Sequence, residues 1–171
     1  KMLSSGAIVG ASDATVQLLA GGGAEYDPVR TGIIGVGYGA LTFAPVLHVV
    51  TTGWKRLLPS TTLGIVTFRS CVDMATSFPF NVSLSLSWQA LARTKDFSFD
   101  FVNTAVPDVI RANLWPCLVA GWALWLPVGV LNYAMVPLRY QVLCLNSVSF
   151  FWNAFMVWRF TEVDDGGQTA S

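Results

Sequence analysis

Four stretches of the chain carry no charged residue: Thr31–Trp54, Met74–Ala92, Ala112–Leu138 and Tyr140–Trp158. Each approaches or exceeds the roughly 20 mostly apolar residues that a bilayer-spanning helix needs. A fifth run, Met2–Ala24, is interrupted by Asp13 alone, but its Gly, Ser and Ala residues make it the least apolar of the set. None of the runs alternates apolar with polar residues, as the strands of a membrane barrel do. The pattern predicts an all-α membrane protein, a bundle of four to five transmembrane helices. Phe97–Arg111 reads differently, because Phe97, Phe99, Phe101, Val106 and Ile110 mix with Asp100, Asp108 and Arg111. That mixture predicts an amphipathic interfacial segment.

Local punctuation agrees with helices. Asp27-Pro28 suits the start of the second, with proline in its first turn, and Pro59 with Ser60 and Thr61 suits the start of the third. Trp115-Pro116 and Pro137 bracket the fourth, and Arg139 leads into the fifth. Trp54, Trp88, Trp115 and Trp158 fall near the ends of runs, where an indole ring prefers the headgroup level, whereas Trp122 and Trp125 fall inside one. Residues 1–160 read as a single helical membrane domain and 161–171 as a polar acidic tail with Glu162, Asp164 and Asp165. Basic residues divide almost evenly between the two sides of such a bundle, so orientation stays open.

Composition narrows the function classes. Of 171 residues, 53% are hydrophobic and 12% charged, where a soluble domain carries about a quarter charged. Ten basic residues balance ten acidic ones, which argues against nucleic acid as a partner, since that needs a concentrated basic face. Cys71, Cys117 and Cys144 stand far apart in apolar stretches, and His48 is the single histidine. No spacing among them matches a metal site or a nucleophile with its base. The expectation is an integral membrane protein with no cofactor, no metal and no enzymatic activity.

Two sets of residues stand out inside the apolar runs. Gly35 and Gly39 are four apart, as are Gly6 and Gly10, and small residues at that spacing let helix backbones approach closely in lipid. Gly35-Val36-Gly37-Tyr38-Gly39-Ala40 also imitates a dinucleotide fingerprint, but the next acid after Asp27 is Asp73, too distant to hold a ribose. Asp13, Arg69 and Asp73 are the ionisable residues at membrane depth, where a charge costs about 3 kcal/mol and needs a partner or water. Arg69 and Asp73 are one turn apart and can pair. Asp13 either takes Arg69 from a neighbouring helix, takes up a proton, or lines a wet cavity. Gln17, Asn132 and Asn146 are candidates to join an intramembrane polar network.

The C-terminal third carries a motif. Trp122, Trp125 and Pro127, then Asn132, Tyr133, Val136 and Pro137, then Trp152-Asn153 resemble the signature of the Mpv-seventeen and peroxisomal-membrane-protein family. That pattern is close to W-x-x-W-P, N-F-x-x-V-P, an arginine four residues on, and W-N. Upstream, Ser12-Asp13 with Gln17 is similar to the family's G-D-x-x-x-Q, and Asp27 with Arg30 to its D-x-x-R. Ala44-Pro45 with His48 is similar to G-P-x-x-H, and Asp73 with Pro79 to D-Q-x-x-x-x-P. Leu126, Gly129, Met74 and Gln141 depart from the pattern, and Arg139 stands two residues before the expected arginine.

The resemblance implies a small helical protein of an organelle membrane. The mitochondrial inner membrane is the first expectation, with a peroxisomal or plastid membrane as alternatives. Two functions remain open. One is a structural or accessory component that packs against other membrane subunits, or against copies of itself, within the lipid. The other is a small-solute channel or transporter with a polar path near Asp13, Arg69 and Asp73. Polar residues are sparse in the runs, which favours the structural reading.

Overall fold

A computed structural model describes residues 2–20, 25–59, 62–137, 140, 144–145, 147–156 and 158. Every regular element among them is helical. In chain order these are α1 (Met2–Ala20), α2 (Pro28–Gly32), a π-helical stretch (Ile33–Phe43), α3 (Ala44–Leu57), α4 (Leu63–Ala75), α5 (Ser77–Thr94) and α6 (Phe99–Met135). Residues 147–156 are helical as well. The expected tail 161–171, Arg139 and Asn146 lie outside the described residues.

The second expected run is one continuous helical rod whose hydrogen-bond register changes twice. Within the π stretch the amide of Ala44 donates to Gly39 O, five residues back. The register returns to α at Pro45, in the first turn of α3, and proline donates no hydrogen bond in either register. α4 and α5 are separated by Thr76 alone, at φ −120 and ψ −69. Pro79 explains the break, because it has no N–H to give Ala75 O. Met74 O is met from another helix, by the indole Nε1 of Trp122 at 2.9 Å.

Phe97–Arg111 is not a separate segment. Phe99 begins a helix of 37 residues that runs through Pro107, Pro116 and Pro127. At 1.5 Å per residue its length is about 55 Å, against a hydrocarbon core of about 30 Å. The charged end around the exposed Asp108–Arg111 pair thus extends beyond what the apolar part needs to cross. Among the described residues, two helical rods are long and apolar enough to span: Pro28–Trp54 and Phe99–Leu131.

Helix α5 is the hub. One apolar cluster joins it to α6 and residues 147–156 through Val82, Leu86, Cys117, Leu118 and Met156. A second joins its far end to α1 and the π stretch through Val9, Ile34, Tyr38 and Ala92. The outer faces are apolar too: Leu19, Leu41, Val49, Phe68, Phe80 and Phe151 are all exposed.

α1 reaches the π stretch through glycines. A methyl on Gly35 would lie 3.0 Å from Gly6 O and 3.3 Å from Gly10 Cα, and one on Gly39 would lie 2.9 Å from Gly6 Cα. Backbone atoms line both sides, so no side chain can swing away. Gly35→Ala and Gly39→Ala are each expected to cost about 1–3 kcal/mol through overpacking. Gly53→Ala, which meets nothing within 4 Å, removes a helix-interior glycine and is expected to be neutral or stabilising by up to about 1 kcal/mol. Thermal unfolding of the three variants in detergent checks the contrast.

Candidate functional site

The two deep carboxylates occupy separate and unlike surroundings. Asp13 on α1 is 0% exposed. Its Oδ2 accepts from Gln17 Nε2 at 2.7 Å and from Thr31 Oγ1 at 2.7 Å. Its Oδ1 lies 3.1 Å from Nε of Arg30, an ion pair with the arginine only 16% exposed. That N–H does not point along the contact, so Oδ1, Nε and Nη2 of this pair make no hydrogen bond. Charge attraction alone joins them, and in a medium of low dielectric it is strong.

The rest of the cluster fixes the chain's first turnaround. Gln17 Oε1 accepts from the amide of Asp27 at 2.8 Å. Asp27 caps α2, accepting from Val29 N at 3.0 Å and Arg30 N at 3.1 Å. Lys95, which ends α5 in the left-handed conformation at φ 54, brings Nζ to 2.6 Å from Asp27 Oδ2. Lys95, then the amides of the α2 first turn, hold the Asp27 carboxyl below its ordinary pKa. The start of α2 and the end of α5 are thereby clasped together. Ser12, also fully buried, donates to Phe150 O at 3.1 Å and ties α1 to the last described helix.

Asp73 sits near the α4–α5 junction. Its Oδ1 accepts from the indole Nε1 of Trp54 at 2.7 Å and from Ser77 Oγ at 3.3 Å, rather than from Arg69. It lines a cavity of about 220 Å³ bounded by α5, the π stretch, α6 and the last helix. Ser77, Asn81 and Ser85 continue the polar wall at four-residue spacing along α5, and Phe78, Trp125 and Trp152 supply aromatic walls. Asn81 Nδ2 donates to Ser77 O at 3.1 Å, while its Oδ1 is buried without a donor.

The structure therefore brings Asp13 and Gln17 together, but not with Asp73. Arg69 lies on α4 one turn before Asp73, and Asn132 falls on α6. The partner that Asp13 takes is Arg30, which sequence reasoning had noted only as half of a D-x-x-R motif. Thr31, Asp27 and Lys95 were not read as part of any network. The signal was an arginine, otherwise unexplained, two residues into a helix start. Of the remaining motif residues, Pro45 and His48 lie on α3, Pro79 in the first turn of α5, and Pro137 just beyond α6. Trp125 packs edge-on against Trp152 at 6.5 Å between ring centroids. Trp54 and Trp88 donate their indole N–H groups inward, to Asp73 and to Thr42 Oγ1.

A depressed carboxyl pKa gives a definite pH dependence. The unfolded Asp27 titrates near 3.8. Its stabilising contribution is therefore fully present above that pH and is lost as pH falls through the lower folded value. Asp27→Ala removes the cap and is expected to lower stability by about 1 kcal/mol at neutral pH. The deficit against the parent should shrink below pH 3.8, and melting curves from pH 6 to 3 check it.

Comparison with known proteins places these motifs. Residues 103–157 match the model of the Mpv17 / PMP22 family. The chain is 28% identical over 143 residues to Protein SYM1 of Gibberella zeae, covering 80% of this chain and 74% of that protein. It is 29% identical to Protein sym1 of Schizosaccharomyces pombe, covering 90% and 80%. Against Protein SYM1 of Saccharomyces cerevisiae it is 24% identical, covering 94% and 82%. No solved structure matches the chain. The chain is thus similar to the Mpv17 / PMP22 family over residues 103–157, in α6 and beyond, and to the SYM1 proteins over most of its length.

Proposed function

We propose that the chain is a non-enzymatic structural component of an organelle membrane, in first place the mitochondrial inner membrane. It works by packing its helices against those of other membrane subunits or of a second copy. Four to five helices cross: α1, the rod from Pro28 to Leu57, α4 with α5, α6, and the helix through 147–156. Residues 1–160 form the one membrane domain of this reading. The observation that carries it is the sealing of Asp13. A carboxylate on a solute path needs contact with the path, and Asp13 is 0% exposed against an arginine that cancels its charge. Apolar residues on the outer faces of the helices, such as Leu41, Phe68, Phe80 and Phe151, suit lipid and helix contact.

A second reading, passage of a small solute, is favoured by the cavity at Asp73. The two readings separate experimentally. Native electrophoresis and cross-linking after mild solubilisation of the organelle membrane should find the chain in a stoichiometric complex or homo-oligomer. A lone protomer overturns the structural reading. Solute passage instead expects a current in reconstituted bilayers that Asp73→Asn alters and Asp13→Asn leaves unchanged in selectivity. The absence of any current overturns passage.

A further inference from the structure

The cavity at the α4–α5 junction has an uneven chemistry. Among its described lining residues, Asp73 is the one group charged at neutral pH, and no lysine, arginine or histidine faces it. Both hydrogen bonds that this carboxylate accepts among the described residues fall on Oδ1, so Oδ2 accepts none from them. Two turns further along, Asn81 Oδ1 is buried and accepts none either. A carboxylate and an amide oxygen in an apolar enclosure are each costly unless a donor arrives. The wall thus holds two acceptors short of donors, one of them negative, with the rings of Phe78, Trp125 and Trp152 about them. Aromatic faces attract cations. An anion would meet the carboxylate with nothing to offset it, and a purely apolar chain would leave both acceptors unmet.

Size restricts the occupant further. A cavity of about 220 Å³ exceeds the ~150 Å³ that admits benzene, so one ring with a short stem fits.

We propose that this cavity binds a small organic ammonium that carries a second hydrogen-bond donor at its far end. The ammonium sits against Asp73, the second donor meets Asn81 Oδ1, and the body lies among Phe78, Trp125 and Trp152. Binding at equilibrium needs neither a partner subunit nor passage across the membrane. A chain that binds such a cation and carries no current keeps this site and loses only the passage reading.

The probe is tyramine, which has an ammonium and a phenolic O–H on one ring. It is compared with phenethylamine, which lacks the hydroxyl, and 4-propylphenol, which lacks the charge. Calorimetry on the full chain in phosphatidylcholine nanodiscs, with empty nanodiscs subtracted, reads the affinity. Tyramine is expected to bind saturably at one per chain, and Asp73→Asn to weaken it at least tenfold. The asparagine retains an acceptor for Trp54 and Ser77, so the fold should persist, and near-ultraviolet circular dichroism checks that. Asn81→Leu should weaken tyramine several-fold and leave phenethylamine unchanged, a comparison that stands even if Asp73→Asn fails to fold. Binding of 4-propylphenol equal to that of tyramine, or tyramine binding indifferent to both substitutions, overturns the proposal. So does a saturating fatty acid that displaces tyramine without sensitivity to Asp73. If phosphatidylethanolamine in the nanodisc abolishes tyramine binding, the ammonium belongs to a lipid headgroup and the free-amine assignment falls.

Discussion

A carboxylate sealed in an apolar bundle needs partners within the protein, and much of this fold follows from how Asp13 finds them. Its partner, Arg30, belongs to the next helix, only 17 residues along the chain. α1 and the start of α2 must therefore meet at that level. The glycines then allow the approach: Gly6 and Gly10 press against Gly35 and Gly39 at backbone distance. Polar attraction sets where the helices cross, and small residues set how closely. Neither suffices alone, since packing in lipid lacks a strong hydrophobic drive between helices. The same cluster reaches α5 through Lys95 and Asp27, so the hub helix is tied at its end to the first turnaround.

The second carboxylate has been treated differently. Asp73 receives an indole and a hydroxyl but no counter-charge in the bonds it makes, and it borders an open volume. The α4–α5 break is what creates this geometry. Pro79 interrupts the backbone ladder at Thr76 and Met74 O is satisfied from α6. The polar stripe of Ser77, Asn81 and Ser85 can then face the cavity instead of a neighbouring backbone. One acidic group thus serves the architecture, and the other borders a cavity.

Much of the architecture was legible in the residue pattern, for a simple reason: charge-free runs of about twenty residues have few alternatives to helix in lipid. The glycine pairs were legible because their spacing is itself the contact geometry. Other features were hidden by cues that point two ways. Pro116 reads as a boundary, yet α6 continues through it and through Pro107 and Pro127. Arg30 reads as a residue of a helix start facing water, and only the fold shows that its guanidinium turns back to α1. Asp73 and Arg69 at one-turn spacing invited a local pair, whereas Trp54, from a separate helix, has the better approach. The π register of Ile33–Phe43 has no signature beyond its glycines and the proline that ends it.

The sealed ion pair at the first turnaround is most directly tested by a double-mutant cycle on unfolding free energy in detergent. Arg30→Met leaves Asp13 buried beside no cation, a loss of about 3–5 kcal/mol. Joining it to Asp13→Leu removes the stranded charge as well, so the double variant should be more stable than Arg30→Met alone. If the two single losses simply add, or if Arg30→Met is neutral, the charges do not sense one another and Asp13 is not held as described.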